Sequence, residues 1–164
     1  MRFNWVDLLS IALVAGVGGV QFTRGIKDLS RVFYEAVFLI AAVIAASRLF
    51  DLTERALSIK PFIAFAGVFV LAAALGIWLA NLLNRVLAFD MGGFNYLFAL
   101  GLGVVCGWVI GHAVLRSLYL ALSGNKEQLV TVHRSWMASQ LLFFGAFREF
   151  LVILRFARYS NVPE

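Results

Sequence analysis

Three side chains in this sequence could do proton or charge chemistry inside an apolar surrounding: Asp7, Glu35 and His112. Each lies within or at the edge of a long hydrophobic run, and an ionisable group at such a place is costly to desolvate, so it is a candidate for a transport path, a proton relay or a structural ion pair. Asp7 stands near the start of its run, where it would be solvated at headgroup depth or, if it turns into the bundle, paired with Arg24 or another cation. Glu35 follows Arg31 by one helical turn, and a local ion pair on one helix face is its simplest account. His112 lacks a second histidine, a carboxylate or a thiol at helical spacing. Cys106, six positions away, falls on the other side of a helix, so a neutral histidine bonded between helices is the simpler reading. His133 sits in a polar, wet stretch. The motifs H-E-x-x-H, G-x-S-x-G, a Walker lysine loop and C-x-x-C are absent, which argues against a hydrolase or an ATPase. No catalytic residue, metal site or cofactor is expected.

Glycine spacing carries a second signal. Gly103, Gly107 and Gly111 repeat every fourth position, with Gly101 close by. Small residues at that spacing form a groove that lets another helix approach closely, whether from the same chain or from another copy. The stretch Gly101-Leu102-Gly103-Val104-Val105-Cys106-Gly107 has some look of a nucleotide loop, but no strand precedes it. Asn81 and Asn84, at the end of a hydrophobic run, could bond to a neighbouring helix or mark the membrane interface.

The elements that must position these residues follow from composition. Of the 164 residues, 62% are hydrophobic and 14% charged, whereas a soluble domain has roughly half and about a quarter. A chain this small cannot hide so much apolar surface in one core. About 20 apolar residues cross the hydrocarbon of a bilayer as a helix. Four such spans are expected, at about 5–22, 32–50, 61–84 and 91–115, making an all-α membrane protein with a four-helix transmembrane domain over residues 1–125. Pro61 suits the first turn of the third helix, where its missing N–H is harmless. The first run also competes as a secretory signal, but Asp7 interrupts it and no A-x-A site follows. Short polar connectors are expected at 24–28, at 51–60 (itself a possible short amphipathic helix) and at 85–93, which makes sequential helices antiparallel.

From Lys126 the character changes, and 126–164 reads as an amphipathic C-terminal segment. Its longest uncharged stretch, Ser135 to Phe147, is 13 residues, too short to span. An interfacial helix fits, with Trp136, Arg148 and Arg155 at the polar layer; packing of its apolar face on the bundle is the alternative. The net charge of +5 is dispersed in ones and twos, so it points to a membrane surface and not to nucleic acid. The lone Cys106 excludes an intrachain disulfide. Ten basic residues fall on the side of the termini and four on the other, which would put the termini in the cytoplasm. The dense basic first loop argues the opposite, and orientation stays open.

The sequence resembles the colicin V production protein (CvpA) family. The resemblance is carried by Asn4-Trp5-Val6-Asp7 before an apolar run, the Arg24-Gly25 step, Asn84-Arg85, the glycine-spaced helix at Gly101, Gly103 and Gly107, and Trp136-Met137-Ala138-Ser139-Gln140-Leu141. It covers residues 4 to about 154. A proline often follows the Ser-Gln-Leu element, and here Leu142-Phe143 stand instead. The resemblance implies a four-span protein of the bacterial inner membrane, needed for production or export of that toxin and linked to envelope integrity. Relatives with an external protease domain after the fourth span imply that both termini lie outside the cytoplasm. The expected function is a non-catalytic scaffold or assembly factor, with the lipid bilayer and a membrane protein or a second copy as partners. The competing expectation is a subunit of a homo-oligomeric transporter or channel lined by Asp7, Glu35 and His112.

Overall fold

The computed structural model describes residues 3–143. Four helices are long and apolar enough to cross a membrane: α1 (Trp5–Lys27), α2 (Leu29–Leu57), α3 (Pro61–Val86) and α4 (Asn95–Ala121), followed by the short α5 (Lys126–Arg134) and α6 (Trp136–Phe143). There is no strand among the described residues. The chain is an all-α, multi-pass membrane protein.

Helix starts follow from their caps. The Asn4 side chain accepts from the Val6 and Asp7 amides while the Asp7 carboxylate accepts from the Asn4 amide, a capping box that closes the first turn of α1. Pro61 opens α3. A 3-10 turn, Gly92–Phe94, leads into α4, and Gly92 sits at φ +59°, a left-handed conformation open to glycine.

Helix ends depart from the expected boundaries. The connector expected at 24–28 shrinks to Asp28 alone, which ends α1 and caps α2 through its bond to the Arg31 amide. Arg24 and Lys27 therefore project from a helix rather than a loop. The connector expected at 51–60 is largely the last turns of α2, which stops at Ser58 in a left-handed conformation (φ 51°). No glycine or proline lies between Arg48 and Leu57, so nothing ends the helix when it leaves the apolar layer. For the same reason α4 runs past Arg116 to Ala121.

The bundle packs as two tight pairs, α1 with α4 and α2 with α3. In the first pair the glycines bring backbone against backbone: a Cβ on Gly107 would stand 2.5 Å from the Val14 carbonyl oxygen, and one on Gly103 would stand 2.6 Å from that of Gly18. Between lipid-embedded helices this close fit supplies the dispersion that replaces hydrophobic drive. In the α2–α3 pair Gly76 packs against the side chain of Phe38, whose Cβ lies 2.7 Å from where a Cβ on Gly76 would stand. Behind both lie small apolar clusters, among them Ala36, Leu39 and Cys106, and Ala46, Phe65 and Ala113.

The end segment has two characters. Helix α5 is largely exposed. Helix α6 packs on the bundle: Ala138 and Leu141 are buried in one cluster with Val6 of α1 and Leu115 of α4. Its first residues lie level with Asp7, and Leu141 reaches Gly111 and Val14. That is seven residues further along α1, so α6 descends about 10 Å beside the spans. An interfacial placement in the membrane plane does not describe α6.

Candidate functional site: three polar clusters

At the end of the bundle that carries residue 3 and α5, Asp7 is buried, its exposure only 2%. One of its carboxylate oxygens accepts from the Ser135 hydroxyl at 2.7 Å and from the Met137 amide at 2.9 Å, and the other accepts from the Asn4 amide at 2.9 Å. Ser135 in turn accepts from the Ala138 amide. One carboxylate thus satisfies orphan amides at the starts of two helices, where the helix dipole favours negative charge. Asn4 adds a bond from its side-chain nitrogen to the Thr131 carbonyl, tying down the end of α5. Asp7 is neither solvated nor paired with Arg24, which stands about 25 Å further along α1, at 1.5 Å per residue.

At the opposite end, Glu35 is 1% exposed. Arg24 binds it with two nitrogens, at 2.7 and 2.9 Å, and Gln21 donates to it at 2.9 Å. Arg31, one turn before, also donates, at 3.1 Å. The local pair expected between Arg31 and Glu35 is present, but the bidentate partner comes from α1. Beside this cluster Asn84 of α3 donates to Asp28 at 2.9 Å and accepts a short bond from Ser30. The two clusters clasp α1, α2 and α3 at one level. Asn81 lines a surface recess with Trp78, Asn84 and Arg85.

His112 lies between these levels. Its Nδ1 donates to the Leu141 carbonyl at 2.6 Å, and since a carbonyl only accepts, Nδ1 carries the proton. The bond anchors the far end of α6 against α4. Cys106 is buried and free.

The candidates are therefore separated. The groove residues Gly103, Gly107 and Gly111 hold α1 of the same chain, with Leu141 of α6 also at Gly111. Asp7 and the Gln21 that binds Glu35 are about 21 Å apart along α1. Trp136 is exposed at the start of α6; Arg148 and Arg155 lie outside the described residues. No group of three metal-ligating side chains occurs among the described residues. Every buried side-chain nitrogen or oxygen there has a hydrogen-bond partner. Ser135, Gln21, Asp28 and Ser30 were not among the expected site residues. The Asn4-x-x-Asp7 spacing is a readable capping signature, but nothing local to Ser135 points to its partner.

No family model matches this chain, and no curated protein or solved structure matches it.

Proposed function

We propose that this protein is a non-catalytic scaffold or assembly factor of the bacterial inner membrane, acting in the way its resemblance to the CvpA family implies: in production or export of colicin V where that toxin is made, and in envelope integrity. The observation that carries the reading is the use made of the polar residues. Asp7, Glu35 and His112 each bind structural partners, at three separate levels, and the buried polar side chains of the described bundle are satisfied internally. A path for ions needs a continuous polar lining, and a catalytic centre needs groups converging on one point. A bundle whose polar groups hold helices together acts through its surfaces. The bond between Asp7 and Ser135 also joins the first and last segments on which the resemblance rests.

With α1 in the glycine groove, a partner must be met elsewhere. Helix α3 offers the most open face, with Leu71, Leu75 and Trp78 exposed along one stripe. Photo-crosslinkers at these positions in native bacterial membranes, followed by mass spectrometry, should capture one other membrane or envelope protein at fixed stoichiometry. Capture of lipid alone at all three positions counts against the scaffold reading. The second reading, a transporter subunit, draws on one observation: a carboxylate buried between two helices, Glu35, is the kind of group that carriers use.

A further inference from the structure

We infer that the cleft between α2 and α4 is a binding site for one acyl chain and the phosphate of an anionic glycerophospholipid. Helix α1 packs chiefly on α4 and touches α2 much less, notably through Gln21 and Arg24 at Glu35. This leaves a lateral cavity of about 660 Å³, inside the range of roughly 300–1,000 Å³ typical of ligand sites. Ile40, Val43 and Ile44 of α2 face Val105 and Val109 of α4 across it, and Leu142 of α6 closes one side.

Three features select the occupant. First, the cleft is polar at one end only: Ser47, Arg48 and Arg116 line it there, with His112 on its wall, and no carboxylate lines it. Among the described residues neither arginine makes an ion pair. Second, its length fits a single leaflet. From Arg48 back to Ile40 is about 12 Å of helix, and from Arg116 back to Val105 about 16 Å, against a half-bilayer of roughly 15 Å. Third, Arg116 is set in advance. Its guanidinium lies over the rings of Phe50 and Phe65, at 5.7 and 5.3 Å from their centres. The two rings hold the cation at the polar end of the cleft, where its N–H groups can donate to phosphate oxygens. Basic pockets between spans recognise anionic headgroups in this way.

Native mass spectrometry of the full-length protein, titrated with phosphatidylglycerol and with phosphatidylcholine of equal chain length, tests this. The expected result is one tightly held phosphatidylglycerol, preferred over phosphatidylcholine. The double variant R48Q/R116Q should bind it about thirtyfold more weakly, at roughly a factor of five for each basic residue. Ile44→Trp, which fills the cleft without changing charge, should also displace it. R85Q, at the opposite end, should bind as wild type does, and inorganic phosphate should not compete. Equal binding of the two lipids, undiminished binding by R48Q/R116Q and Ile44→Trp, or competition by free phosphate would each overturn the proposal. So would a photo-crosslinker at Val43 that captures residues 144–164 of the same chain, a second copy or another protein instead of lipid. Circular dichroism of each variant separates lost binding from lost fold.

Discussion

The carboxylate of Asp7 accepts the hydroxyl of Ser135 at 2.7 Å, across 128 positions of sequence. The contact joins the first turn of α1 to the first turn of α6. Together with the His112–Leu141 bond it fixes both ends of a short helix that descends beside the spans. Apolar contacts of Ala138 and Leu141 with α1 and α4 add to these two anchors.

Removing the clasp should therefore release α6. Asp7→Ala leaves the Met137 amide and the Ser135 hydroxyl without their acceptor, and is expected to lower stability in detergent by about 1–3 kcal/mol. Asp7→Asn should cost less, because an amide oxygen still accepts. A double-mutant cycle with Ser135→Ala should return a coupling of about 1 kcal/mol. Thermal unfolding reads the energies. Limited proteolysis should show earlier cleavage between α5 and α6 in Asp7→Ala.

Position within the glycine series should decide tolerance. Gly107→Ala places a methyl against the Val14 carbonyl and Gly103→Ala against that of Gly18. Each should destabilise by about 1–3 kcal/mol through overpacking. Gly101 has nothing within 4 Å of an added Cβ, so Gly101→Ala should leave stability unchanged or slightly raised. Unfolding curves of the three variants side by side make the comparison. Loss of partner capture on Gly107→Leu would report a disrupted α1–α4 seam, not a lost docking groove.

The Glu35 cluster should respond unequally to loss of its members. Glu35→Ala deprives two arginines and Gln21 of their acceptor. With the Arg24 and Arg31 side chains 38% and 39% exposed, both can reach water. The expected cost is about 2 kcal/mol, below the 3–5 kcal/mol of a fully buried pair. Arg24→Ala should cost more than Arg31→Ala, because Arg24 makes the bidentate contact and joins two helices. Unfolding of the three variants in one detergent gives the order.

Cys106 should be inert while the bundle stands. It is buried among Ala36 and Leu39, and a water-soluble maleimide should label it only after denaturation. Labelling of the folded protein at a rate near that of an exposed thiol would show that α2 and α4 separate readily.

The parts of the fold legible in the sequence were those set by local composition. The charge-free stretch from Pro61 to Asn84 marks α3 because no other solvent than lipid suits it, and Pro61 marks its start. Helix ends were less legible. Arg24, Lys27 and Asp51 look like loop residues by polarity, yet polarity alone does not stop a helix that has left the hydrocarbon. Of the site, the spacing of Gly103, Gly107 and Gly111 announced a close helix contact, but only the tertiary arrangement could say that α1 fills it. The run from Ser135 to Phe147 was readable as too short to span. That its first turns dip beside α1 depends on Asp7, and no local pattern at either residue names the other.

A scaffold in which Asp7, Glu35 and His112 hold helices together carries no ions. Proton and ion flux into liposomes containing only the purified protein tests that most directly, with Asp7→Asn, Glu35→Gln and His112→Gln measured in parallel. The expected flux is no greater than in protein-free liposomes for the wild type and for all three variants. Flux well above that level, abolished by any one of the substitutions in a protein that remains folded, would contradict the scaffold reading and make the chain a transporter subunit.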